Sequence, residues 1–167
     1  MTSKETNFFN ASDYDPSYWE TYLAARPKYS KEFYEQIYTY HADCGNGAFG
    51  TVHDVGTGPG QVAQVVAERF KHVVASDLNQ AHLDVAKQRT AGLSGTDIKF
   101  VHHSGDALAE VIPAGEADMI VAGESMALMD AAKAVEGYAK ILRPGGTVAI
   151  WYYGRPNFAE EAFASKW

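Results

Sequence analysis

The ten residues TVHDVGTGPG, positions 51–60, restrict the fold of this chain more than any other stretch. Thr51 to Val55 reads as a short buried strand. Gly56, Gly58 and Gly60 follow at alternate positions, and QVAQVVAERF then has the apolar spacing of a helix over 61–70. Strand, glycine turn and helix, in that order, form the unit by which an open α/β sheet grips a nucleotide-like cofactor. Glycine lets the backbone approach a ligand closely or take a positive φ. The helix start offers backbone N–H groups that have no partner within the helix.

Four more strands follow in the same rhythm. HVVAS at 72–76 runs into Asp77, and a helix over 80–91 closes at Gly92. IKFVHH at 98–103 and DMIVA at 118–122 are the third and fourth strands. The helix over 131–142 is amphipathic: Ala134, Val135, Tyr138, Ile141 and Leu142 are apolar, whereas Lys133, Glu136 and Lys140 face water. Arg143 to Gly146 reads as a tight turn into a fifth strand, TVAIWYY, at 147–153. Strands alternating with helices predict a doubly wound, mostly parallel α/β sheet.

Upstream, residues 13–30 are dense in aromatics. Ser17 to Ala25 suits a short helix that stops before Pro27. A second helix over 30–42 has Ser30 as its cap and Phe33, Ile37 and Tyr40 on one face. Residues 1–30 are therefore expected to form an aromatic cap or lid, with Phe8 and Phe9 docking it, and residues 31–167 the core domain. The cap either packs over the sheet edge or closes above a ligand, with Arg26 as an anion hook. A guanidinium fork gives a carboxylate two parallel charged hydrogen bonds.

A net charge of -7 disfavours nucleic acid and anionic membranes as main partners. The single cysteine, Cys44, excludes an internal disulfide and reads as an inert thiol in a Gly/Asn-rich link. No run approaches 18 apolar residues, and MTSKETNFFNAS lacks an apolar core of signal-peptide length, so a cytoplasmic location is expected.

In such a sheet, function gathers at the carboxyl ends of the strands. Asp54, Asp77, Asp106, Glu124 and the Tyr152–Tyr153 pair all fall there. A carboxylate at Asp77 can accept both hydroxyls of a ribose, a role shared by nicotinamide and adenosylmethionine sites. The glycine spacing separates the two. In a GxGxxG fingerprint the third glycine would stand where Gln61 does, and Pro59 removes an N–H that could face a diphosphate. Asp54 adds acidity, which suits a sulfonium cation better than a diphosphate. Alternatively, Asp54 caps backbone N–H groups of the turn. Asp106 either accepts from an adenine amino group, with Leu78 and Ala107 flanking the ring, or caps the helical run ALAEVI.

Other motifs are absent. Consecutive strand residues point to opposite faces, so His102 and His103 cannot chelate together, and no Cys or His cluster suggests a metal. His41, His53, His72 and His82 read as structural or solvated. Ser125 lacks the GxSxG elbow, and GTGPG lacks the Gly-Lys-Ser/Thr of a phosphate loop.

Six motifs carry a family resemblance: YLAARPKYS at 22–30, DVGTGPG at 54–60, SDLN at 76–79, HSGDALA at 103–109, DMIVAGESMALMD at 118–130 and LRPGGTVAIWYY at 142–153. With these the chain resembles class I S-adenosylmethionine-dependent methyltransferases. It is most similar to the small-molecule branch that includes fungal trans-aconitate methyltransferase-like proteins. The resemblance implies a Rossmann-like methyltransferase core, strand order 3-2-1-4-5, and S-adenosyl-L-methionine as cofactor. It places Gly56, Gly58 and Gly60 at the methionine part, Asp77 at the ribose, and Asp106 and Ala107 at the adenine. Tyr22 and Arg26 would meet the cofactor from above, Arg26 at its carboxylate, and Glu124 would mark the floor between cofactor and acceptor.

Two departures from the family pattern stand out. SMALMD at 125–130 replaces an AHWFD-like run, which either opens a greasier acceptor site or is ordinary packing. The family fold also continues through a helix and a two-strand hairpin beyond the point where this sequence ends. The fifth strand is then an uncovered apolar edge, and homo- or hetero-oligomerisation through it is expected. The leading expectation is methyl transfer to a small-molecule acceptor, with no catalytic base assigned. The alternative is a non-catalytic, methyltransferase-like subunit, and a dehydrogenase comes third.

Overall fold

In the computed structural model, which describes residues 16–154, five segments pair as parallel strands. They are β1 (Thr51–Val55), β2 (His72–Asp77), β3 (Asp97–His102), β4 (Ala117–Gly123) and β5 (Leu142–Trp151). Their spatial order is β3-β2-β1-β4-β5, the order expected. The central strand β1 is buried at every residue, as befits a parallel strand covered on both faces. Its Val52 lies between Val73 of β2 and Met119 of β4. The order reverses between β1 and β4, which opens a crevice at their carboxyl ends. Phe8, Phe9 and residues 155–167 lie outside the described residues.

Strand alternation divides the core in two. On one face Val52, Val73, Ala75, Met119 and Val121 pack against Tyr34 and Tyr38 of α2 (Lys31–Cys44) and Val62, Ala63 and Val66 of α3 (Gln61–Val66). On the other, Val55, Val74, Ile120 and Ala122 meet Leu108 and Ile112, together with Ala134, Tyr138 and Ile141 of α5 (Ala131–Ile141). Each large apolar side chain buried in this way contributes about 1.5–3 kcal/mol. The remaining helices are α1 (Pro16–Ala25) and α4 (Gln80–Thr90).

Several local expectations shift. Ser30 does cap α2, its hydroxyl accepting from the Phe33 N–H at 3.3 Å. The buried stripe of α2 is Tyr34, Tyr38 and His41, however, and Tyr40 is 60% exposed. His41 draws the helix round. Its Nε2 lies 2.8 Å from the Ala48 carbonyl and so carries the proton, leaving Nδ1 to accept from the Thr147 hydroxyl at 2.8 Å. The helix after the glycine turn ends at Val66 because the Glu68 and Arg69 N–H groups turn to carbonyls three residues back. Phe70 still reaches the core. The left-handed glycine after α4 is Gly95, not Gly92, and Val135 of α5 faces solvent.

β5 begins earlier than its sequence suggests. Leu142 already pairs with Ala117, and the next ladder pair is Met119 with Thr147, so Arg143 to Gly146 bulge out opposite Asp118. Asp118 anchors the bulge. Its Oδ1 takes Arg143 Nη1 at 2.6 Å, and its Oδ2 accepts the Gly50 and Thr51 N–H groups. Burial opposes this buried charge, but Arg143 and the two amides outweigh burial and hold the carboxyl below its ordinary range. The cluster lies at the amino end of the sheet, away from the crevice.

Candidate cofactor and acceptor site

The carboxyl ends of β1, β2 and β4, with the segment after β3, open into one cavity of about 500 Å³. Gly56, Thr57 and Gly58 form its floor. Asp77, Leu78, Asn79 and His82 make one wall with Ser104 and Gly105, and Glu124, Leu128, Met129 and Tyr153 make the other. Tyr18, Trp19 and Tyr22 of α1, with Arg26 and Tyr29 after it, also line it. The aromatic segment thus contributes to the lining of the cavity. A larger depression, of about 650 Å³, runs along Lys31, Glu32, Glu35, Gln36 and Thr39 of α2. It is shallow, open to solvent and collects no strand end.

The three glycines do different work, although all have positive φ: +69° at Gly56, +54° at Gly58 and +81° at Gly60. A Cβ on Gly56 would stand 2.5 Å from that of Ser125, and one on Gly60 would stand 3.0 Å from that of Ala86 in α4. Both are packing contacts, and Gly60 does not line the cavity. A Cβ on Gly58 would meet nothing within 4 Å, because it would project into open space.

Asp77 organises the turn from the end of β2. Its Oδ2 accepts the Gly58 N–H at 2.8 Å, and its Oδ1 accepts the Asn79 N–H at 2.8 Å and lies 3.2 Å from His82 Nδ1. The His82 ring sits edge-on to Trp19 of α1, centroids 5.1 Å apart. His82 is a site residue that sequence reasoning passed over as structural or solvated. Its signal is Asn79, which caps α4 by accepting the Ala81 N–H at 2.9 Å and so sets His82 in the first turn beside Asp77.

Asp54 lies beneath the floor, fully buried and outside the cavity wall. Its Oδ2 accepts the Thr57 hydroxyl at 2.6 Å. Burial pushes its carboxyl up to about 7, against the pull of the hydrogen bonds from Thr57 and the Ala63 N–H. Asp54 is thus tied to the glycine turn through the Thr57 hydroxyl, and its backbone donor is Ala63 of α3 rather than an N–H of the turn. Asp106 and Ala107 also stand off the wall, while their neighbours Ser104 and Gly105 form it. Asp106 is not a cap: it sits within a 3-10 helix, Gly105–Glu110. Its carboxylate takes the Ser104 hydroxyl at 2.5 Å and the Asp130 N–H at 3.2 Å, and the Ser104 bond above all holds its pKa down. His103 does not line the cavity either, its Nδ1 lying against the Ser104 carbonyl.

At the far end of the cavity three elements meet. Arg26 lies over the Tyr22 ring at 4.7 Å, and its Nη1 donates to the Tyr153 hydroxyl. The Tyr153 N–H donates to Glu124 Oε1. Glu124 has a φ of +60°, a backbone geometry rare for a side-chain-bearing residue. Among the described residues no group of three or more His, Cys, Asp or Glu is gathered to hold a metal ion, and no helix is long and apolar enough to cross a membrane.

An open parallel sheet in this order, with its cleft at the switch point and an acidic, glycine-floored pocket, defines a cofactor-binding α/β domain. The methyltransferase domain family matches residues 52–146, and the chain belongs to that family, the S-adenosylmethionine-dependent methyltransferases of class I. It is 44% identical over 160 residues to "Methyltransferase cfoB" of Aspergillus candidus, covering 95% of this chain and 49% of that protein. It is 45% identical over 163 residues to "Methyltransferase pgmE" of Aspergillus terreus, covering 95% and 48%. The chain thus spans about half the length of these curated relatives. Among solved structures, a SAM dependent methyltransferase from Aquifex aeolicus superposes with a TM-score of 0.66 at 18% identity, covering 88% of this chain and 77% of that one. That likeness speaks for the fold.

The cofactor of this family is S-adenosyl-L-methionine, and the site fits it. Gly58 leaves room for a ligand against the backbone, and Asp77 presents a carboxylate beside it. Pro59, with no N–H to offer, stands on the wall where a diphosphate would need donors.

Proposed function

We propose that this chain carries the cofactor site of a methyltransferase acting on a small-molecule acceptor. The observation that carries the reading is the open space above Gly58, bounded by Asp77 on one side and by Leu128, Met129 and Tyr153 on the other. In this reading Asp77 accepts the ribose hydroxyls and the Gly56–Gly58 backbone lies along the methionine part. Leu78, Ser104 and Gly105 flank the adenine, with Asp106 and Ala107 behind them. Arg26 meets the carboxylate, with Tyr22 stacked beneath its guanidinium. The bound cofactor supplies an electrophilic methyl group on a sulfonium sulfur.

The chain's own part is to orient the acceptor and exclude water. Tyr18, Trp19 and Tyr22 close the roof, and Leu128 and Met129 give the acceptor side an apolar wall. Glu124 is engaged by the Tyr153 N–H, so it is better suited to hold the acceptor wall than to collect a proton. An acceptor already ionised near neutral pH, such as a carboxylate or an acidic phenol or enol, needs no base. No feature of the described site favours the non-catalytic alternative. We also propose that the edge of β5, which has a partner strand on one side only among the described residues, mediates self-association.

The test is calorimetry with S-adenosylmethionine, S-adenosylhomocysteine and NAD, followed by product detection across a panel of small acids and phenols. Binding of the first two, no binding of NAD and a methylated product are expected. Tight binding of NAD alone would defeat the reading.

A further inference from the structure

Tyr153 is held at both ends, and the two holds lead to different parts of the fold. Its N–H is taken by Glu124 at the end of β4, and its hydroxyl oxygen accepts from Arg26 just beyond α1. Glu124 is itself fixed, its N–H donating to the Trp151 carbonyl at 3.0 Å and its backbone held left-handed. A left-handed glutamate persists only where its surroundings over-determine it, and such residues cluster at functional sites. The alternation past β5 selects the tyrosine that reaches inward. Trp151 packs into the core, Tyr152 is exposed, and Tyr153 lines the cavity.

An arginine side chain has several rotors to freeze before it can present its fork to a carboxylate, and pre-orienting it raises affinity without a new contact to the ligand. Here the guanidinium is stacked on Tyr22 at 4.7 Å and bonded through Nη1 to Tyr153. A guanidinium has five N–H donors, so the Tyr153 bond leaves others for a ligand. We propose that Tyr153, pinned by Glu124, is a positioning residue that aims Arg26 at the carboxylate end of the cofactor. This rests on the reading that Arg26 meets that carboxylate. It adds that the segment after β5, not only the lid, sets the affinity for the amino-acid arm.

A ligand pair separates positioning from mere latching of the lid. S-adenosylhomocysteine carries the amino-acid arm, whereas methylthioadenosine has the same adenosyl thioether without it. Tyr153→Phe keeps the ring and removes only the hydroxyl. By calorimetry it should bind S-adenosylhomocysteine about tenfold more weakly than wild type and methylthioadenosine equally well. Glu124→Ala, which releases the Tyr153 N–H, should show the same selectivity, and Glu124→Gln, which keeps an acceptor, should restore most of the affinity. Should the phenylalanine variant fail to fold, the Glu124 pair carries the same comparison. Equal weakening of both ligands would reduce Tyr153 to a lid latch and overturn the inference, as would no weakening of either. In both cases the cofactor reading would stand. Failure of wild type to bind either ligand would overturn the cofactor reading and this inference with it.

Discussion

Gly58 and Asp77, from the ends of the adjacent strands β1 and β2, are joined by a hydrogen bond of 2.8 Å from the glycine N–H to the carboxylate. Asp77 thus shapes the floor of the cavity as well as facing it. Asp77→Ala removes both roles and should lower S-adenosylhomocysteine affinity roughly 100-fold, the worth of one or two charge-assisted bonds. Asp77→Asn keeps an acceptor for the Gly58 N–H but loses the charge, and about tenfold should be lost. Calorimetry on the pair distinguishes these outcomes. Equal affinities would mean that the carboxylate charge does not touch the ligand.

Gly56 and Gly58 should fail in different ways. Alanine at Gly56 puts a methyl 2.5 Å from the Ser125 Cβ, and Ser125 cannot yield because its hydroxyl is bonded to the Val55 carbonyl at 2.6 Å. Gly56→Ala should therefore cost about 2–4 kcal/mol of stability from overpacking and left-handed strain. Gly58→Ala meets no neighbour and should cost only about 1–2 kcal/mol from its backbone. Its methyl enters the cavity, however, so ligand affinity should fall more than stability. Denaturant unfolding and ligand titration of both variants check the contrast.

Asp54 and His53 are adjacent on β1 and make opposite demands on pH. Burial raises the Asp54 carboxyl to about 7 from an ordinary 3.8. Between about pH 4 and 7 the folded chain holds a proton that the unfolded chain releases, so this group's contribution falls as pH rises. Burial, with Lys99 nearby, lowers the His53 imidazole to about 4 from 6.5. There the unfolded chain binds the extra proton, so the contribution rises with pH between about 4 and 6.5. The two largely offset one another in wild type. Asp54→Asn removes one arm, and its stability should climb between pH 4 and 6.5 by a few kcal/mol relative to wild type. Urea unfolding at several pH values measures it, and parallel profiles would refute it.

The sheet was legible because its central strands are apolar runs, each followed by a glycine or an acidic residue that needs a particular end. Asp77 and the glycine turn are local features, so sequence reading found them. At Tyr40 helical spacing gives a stripe but not its rotation, which His41 decides through Thr147 on β5, 106 residues away. The start of β5 is hidden for a similar reason. Arg143 to Gly146 have turn chemistry, and only the pairing of Leu142 with Ala117 makes them a bulge within a strand. The sequence places Tyr152 and Tyr153 together at the end of β5, and only contacts with Glu124 and Arg26, on other elements, single out Tyr153.

Among the described residues, β5 has a partner strand on one side only. Thr147, Ala149 and Trp151 face α2 and the core, so Val148, Ile150 and Tyr152 point to the other face, where all three are exposed. Those side chains beside a free row of backbone N–H and C=O groups make a surface that another strand can extend. Self-association in sedimentation at tens of micromolar is expected. Ile150→Lys puts a charge on that edge and should return the protein to monomer while changing its stability by no more than about 1 kcal/mol, since the residue is already partly solvated. A wild-type protein that sediments as a monomer across this range would show that the edge is satisfied within the chain.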